Sequence, residues 1–98
     1  AITHIWMTMG KHDLRNIVIR MFWDDETEPS VEAPLADFFG VGHGLSAPQE
    51  YFATPCLAVS PTNGYNCYFP MPFAKNARIA ITNDNDTLVS DGGGIYFQ

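Results

Sequence analysis

The run Leu14-Arg15-Asn16-Ile17-Val18-Ile19-Arg20-Met21-Phe22-Trp23 decides the fold. In an extended chain Ile17, Ile19, Met21 and Trp23 face one way, and Asn16, Val18, Arg20 and Phe22 the other. Helical spacing fits worse, because the β-branched residues crowd together and are stiff at χ1. Upstream, Ile2 to Met9 alternates in the same manner, with Thr3, Ile5, Met7 and Met9 on one side and His4, Trp6 and Thr8 on the other. Gly10-Lys11-His12-Asp13 is a turn between the two. Downstream, an acidic turn at 24–29 leads into a short strand, Ser30 to Leu35, whose Pro34 places it at a sheet edge.

Beyond this, residues 36–49 form a long irregular stretch rich in glycine. Strands are expected at Phe52 to Val59, interrupted by Pro55, and at Tyr65 to Phe69, Ala77 to Thr82, Thr87 to Ser90 and Ile95 to Gln98. Pro61-Thr62-Asn63-Gly64 and Asn83-Asp84-Asn85-Asp86 supply turns. No segment carries a convincing amphipathic helix. The pattern predicts an all-β, antiparallel sandwich of the jelly-roll type.

The chain has 98 residues, which is one domain at most. At this size folding buries only about 60–65% of the unfolded chain's surface, so the core is thin. Hydrophobic residues make up 46% and aromatics 13%, well above a disordered composition. The net charge of -6, with only five Lys and Arg, repels phosphate backbones and argues against a nucleic-acid partner. No run approaches the ~18 apolar residues of a membrane helix. The first residues have no signal-peptide character and no initiating Met, so residues are expected upstream; the compartment stays open. Cys56 and Cys67 read as two small buried thiols, the alternative being a loop-closing pair if the chain is exported.

The densest set of chemistry-bearing residues runs from Ser30 to Gly44. Asp37 is suited to accept hydrogen bonds from sugar hydroxyls, Phe38 or Phe39 to stack on a ring, and His43 to donate to the same ligand. Against this stands a structural reading in which Asp37 caps a turn, the phenylalanines fill the core and His43 is a surface residue. The glycines are not a phosphate cradle, since no Lys-Ser/Thr follows. Glu32 and Asp37 suggest a carboxylate pair, but a loop intervenes and spacing does not fix their separation. Residues 24–28 lack the calcium-loop pattern, and His4, His12 and His43 lack metal-ligand spacing, so no cofactor or metal is expected. A second cluster, Asn66-Cys67-Tyr68-Phe69-Pro70-Met71-Pro72-Phe73, suits either a sugar groove, an interface or an aromatic core strand.

These blocks carry a resemblance. Ile2 to Thr8, Val18 to Asp24, Pro29 to Gly44 and Tyr65 to Phe73, in this order and spacing, are similar to the DUF2961 family, also known as glycoside hydrolase family 172. The resemblance covers nearly the whole chain. It implies a double jelly roll assembled about a threefold axis, of which residues 1–98 are most of the first jelly roll. It also implies a retaining enzyme acting on difructose dianhydride, α-D-fructofuranosides or D-arabinofuranosides. The family's two catalytic glutamates are expected in a later segment, so no catalytic residue is assigned here. Asp37, Phe38, Phe39 and His43 are expected as pocket contributors, with Trp6 and Glu32 behind them. The alternative is a non-catalytic carbohydrate-binding or assembly module.

Overall fold

The computed structural model describes residues 1–8, 14–41, 52–60, 64–85 and 94–98. Its strands are β1 (Ile5–Thr8), β2 (Ile17–Trp23), β3 (Val31–Pro34), β4 (Phe52–Ala53), β5 (Leu57–Ser60), β6 (Gly64–Cys67), β7 (Ala77–Asn83) and β8 (Gly94–Phe97). They form two antiparallel sheets, a five-stranded one ordered β4-β5-β6-β1-β8 and a three-stranded one ordered β3-β2-β7. The expected all-β sandwich is therefore the observed fold.

The alternation along β2 becomes burial. Ile17, Ile19 and Met21 are enclosed, and they meet Ile5 and Met7 of β1 and Tyr65 and Cys67 of β6 in one core. The opposite face of β2 carries Val18, Arg20 and Phe22. Phe22 is shielded there by Arg78, its register partner, whose guanidinium lies 3.7 Å from the ring centroid. Arg20 reaches both neighbouring strands: Nε donates to Glu32 Oε2 at 2.6 Å and Nη1 to Thr82 Oγ1 at 3.1 Å. β3 is an edge strand, with Pro34 opposite Val18 at its end.

Two expectations are corrected. Phe52 to Val59 is not one interrupted strand but a hairpin, β4 against β5, folded at Thr54-Pro55-Cys56. Pro55 cannot donate to a ladder, and the Thr54 hydroxyl accepts from the N–H groups of Cys56 and Leu57 to close the turn. The stretch after β3 is not wholly irregular. It begins with a one-turn helix, α1 (Leu35–Phe38), preceded in the chain by a 3-10 turn at Leu14–Asn16 on which it packs. α1 ends in a Schellman arrangement: Val41 N–H donates to Ala36 O and Gly40 N–H to Asp37 O, both at 2.9 Å. Gly40 takes φ 84°, a conformation a side chain rarely tolerates. The cap seals Leu35, Ala36, Phe39 and Val41 into the core. The turn at 10–13, the strand at 87–90 and most of the glycine-rich loop lie outside the described residues.

The acidic turn after β2 is a structural clamp. Asp24 and Asp25 both have positive φ, at 50° and 65°. The Asp24 carboxylate accepts from the backbone N–H groups of Ala74, Lys75 and Asn76, tying the turn to the segment before β7. Those bonds, that of Ala74 foremost, hold the Asp24 carboxyl below its ordinary value. Glu26 is lowered likewise, by the Trp23 N–H and the Ser30 hydroxyl.

Candidate functional site

α1 sorts the predicted residues by helical direction. Phe39 is fully buried, edge-on to Phe38 at 5.0 Å and tilted against Tyr65 at 5.7 Å. It has no ring face left for a ligand, so the expectation that it stacks on a sugar is corrected: Phe39 is a core residue. Asp37 points toward the 3-10 turn, with Oδ2 3.6 Å from Arg15 Nη2. Its Oδ1 is buried and has no hydrogen-bond partner. A buried acceptor left unpaired is unusual in a folded protein and calls for a reason.

Phe38 faces a different way. It lines a cavity of about 300 Å³ with Met21, Trp23, Val31, Phe69, Pro70, Met71 and Pro72. The cavity is thus where the two sequence clusters meet. A backbone bridge between Ile2 and Met71 holds the Phe69–Pro72 side, with N–H···O distances of 3.0 and 2.8 Å. Trp23 stacks parallel to Phe73 beside it. Among the described residues no ionisable side chain lines this cavity. It can hold an apolar or ring-shaped group, and none of its described lining residues is an acid or base.

Glu32 and Trp6 are not brought to this cavity. Glu32 lies on the outer face of the three-stranded sheet, engaged with Arg20. Trp6 lies on the outer face of the five-stranded sheet, stacked on Tyr96 at 4.9 Å. His43 lies outside the described residues.

Around Trp6 the register assembles side chains that sequence reasoning did not group. Asn66 and Tyr96 flank Trp6 on the neighbouring strands. His4 stacks on Tyr68 with centroids 4.5 Å apart and planes within 10°. Asn66 Oδ1 lies 3.0 Å from His4 Nε2 and accepts from the Tyr68 hydroxyl at 3.5 Å. The alternation of the first strand already put His4 and Trp6 on one face; their partners, some sixty and ninety residues on, became visible only with the pairing.

Cys56 and Cys67 are free thiols. Burial above all pushes the Cys67 thiol up, which keeps it protonated and inert. Among the described residues no three His, Cys, Asp or Glu gather as a metal site, and no helix is long and apolar enough to cross a membrane.

Fold and sequence together define a β-sandwich domain related to glycoside hydrolases. A sequence model described as GH172 domain-like matches residues 2–92, and the chain belongs to the GH172 family. No curated protein matches it.

Proposed function

We propose that this chain is the first jelly roll of a retaining furanosidase, acting on difructose dianhydride, α-D-fructofuranosides or D-arabinofuranosides. In this reading the catalytic glutamates come from outside residues 1–98. The domain serves as scaffold and subunit contact about a threefold axis, and lends Asp37, on the 3-10-turn side of α1, to the sugar pocket; Phe38, which faces the other way, lines the separate apolar cavity. Membership of the GH172 family supports the class of substrate. The observation that carries the role of this chain is Asp37, whose buried Oδ1 holds acceptor capacity that the fold does not use. The glutamates with defined partners are engaged in the fold: Glu26 binds Trp23 N–H and Ser30, and Glu32 binds Arg20.

The test is the full-length protein incubated with each class of furanoside, the anomer of the first-formed product being read by NMR. Asp37→Ala and the isosteric Asp37→Asn should both lower kcat/KM sharply while keeping the folded circular-dichroism spectrum. Wild-type turnover in both variants would remove Asp37 from the pocket. Inverted product, or no hydrolysis at all, would overturn the enzymatic reading.

One observation favours the second reading, a non-catalytic carbohydrate-binding or assembly module: among the described residues the cavity is lined without a single acid. Jelly rolls host lectins and capsids as readily as enzymes, and the fold does not choose between them.

A further inference from the structure

We propose that the outer face of the five-stranded sheet is a second carbohydrate site, a flat platform for a chain of neutral sugar rings. The proposal rests on the reading of this protein as carbohydrate-active, and it deepens that reading.

Strand register and alternation put Ala58, Asn66, Trp6 and Tyr96 in one row across four strands. At about 4.8 Å per strand, the row spans about 14 Å, more than one sugar ring. On one side of it lie Ser60, Gly64, Thr8 and Gly94, and on the other Tyr68, His4 and Gln98. Among the described residues this face carries no Asp, Glu, Lys or Arg, in a chain whose net charge is -6. No carboxylate, ammonium or guanidinium of the described residues would pair there with a charged ligand.

Among the described residues the face also lacks Leu, Ile, Val, Met and Phe. Protein contacts draw on such apolar anchors and on Arg. Here every large side chain has a polar tip: Trp6 is 38% exposed, Tyr68 46% and Tyr96 57%. Trp6 and Tyr96 stack on each other, as do His4 and Tyr68, so each ring offers its outer face and edge; with hydroxyl, amide and indole N–H groups beside them, these suit a ligand whose ring C–H face is apolar and whose rim is hydroxylated. Asn66 Oδ1 is turned toward His4 and Tyr68, which leaves the amide Nδ2 as a donor.

Two glycines keep the platform low. A Cβ at Gly94 would come within 2.8 Å of the Tyr96 hydroxyl oxygen, so that ring lies down along its own strand. A Cβ at Gly64 would come within 2.6 Å of Ser60 Oγ, and Trp6 Nε1 lies close by.

The experiment is affinity electrophoresis of the full-length protein through gels containing D-arabinan, inulin or, as the anionic control, polygalacturonate, with oligomeric mass measured in parallel. Wild-type protein should be retarded by a neutral polymer and not by polygalacturonate. Tyr96→Ala and Trp6→Ala should each weaken that retardation at least tenfold. Gly94→Val, which lifts the Tyr96 ring, should weaken it in part. Undiminished retardation in Tyr96→Ala and Trp6→Ala, or equal retardation by polygalacturonate, would overturn the proposal. So would a change of oligomeric mass in these variants, which would mark the face as a contact between copies. If the wild type hydrolyses no furanoside yet shows Tyr96-dependent retardation, the furanosidase reading falls and the platform stands. Hydrolysis without such retardation gives the reverse.

Discussion

Asp24 Oδ1 accepts the backbone N–H of Lys75 at 2.6 Å, across fifty-one positions of sequence. With the neighbouring bonds from Ala74 and Asn76, this one carboxylate anchors the approach to β7. Its value is depressed in the folded chain, so its contribution is present above the unfolded carboxyl value and is lost as pH falls through the folded one. Glu26 has the same sign. Melting temperature should therefore fall as the solution is taken from pH 5 to below the ordinary Asp value. Asp24→Asn tolerates the same left-handed backbone and should flatten that fall while lowering the melting temperature by a few degrees at pH 7. A pH series of thermal melts on both proteins checks this; an unchanged acid limb in the variant would refute the clamp.

Phe39 and Phe38 are chain neighbours with different surroundings, and truncation should separate them. Phe39→Ala empties a fully buried site and should cost about 3–5 kcal/mol, a large share of the ~5–15 kcal/mol a small domain commands. Phe38→Ala opens a cavity wall that is already partly exposed, and should cost clearly less. Urea denaturation of the two variants gives the comparison, and equal losses would mean that α1 does not sort them as described.

Gly40 closes α1 at φ 84°. Gly40→Ala should destabilise by about 1–2 kcal/mol, the cost of a left-handed side-chain-bearing residue. In a domain of this size each kcal/mol corresponds to about 4–8 °C in melting temperature. A thermal melt unchanged within a degree would show that the cap is not held in this form.

Arg20 and Glu32 form an exposed pair on the outer face of the three-stranded sheet. A double-mutant cycle with Arg20→Ala and Glu32→Ala should give a coupling of roughly 0.2–1 kcal/mol, weakening in 1 M salt. Coupling well above that range would mean the pair is shielded by something that covers the sheet.

How much of this was legible before the fold depended on local pattern. The period of two along Ile17 to Trp23 announced its buried face, and Ile5 and Met7 of the first strand followed the same rule. The β4–β5 hairpin was hidden, because Pro55 reads equally as a break within one strand and as a turn between two short ones. The helix of four residues, Leu35–Phe38, is too short to show a period of 3.6. At the candidate site, the sequence brought out Phe38 and the Phe69–Pro72 run separately, while their shared cavity comes from the Ile2–Met71 bridge. Trp6 stands out in the sequence by its type, but its neighbours Asn66 and Tyr96 reach it only through strand register.

The order of the five-stranded sheet also sets a schedule. β1 leaves the ribosome before the other seven described strands, yet it lies between β6 and β8, and Ile5 is matched to Cys67 on one side and Phe97 on the other. At translation rates of roughly 5–20 residues per second, β1 waits some 5–20 s for its last neighbour. Until then its backbone lacks at least one of its two neighbours, and its one aromatic side chain, Trp6, is open to any passing strand. Pairings that span most of the chain also make refolding slow. The domain should therefore gain native hydrogen-exchange protection at Trp6 and Met7 late, in the same kinetic phase as Ile95 and Tyr96, however early the β2–β3 hairpin forms.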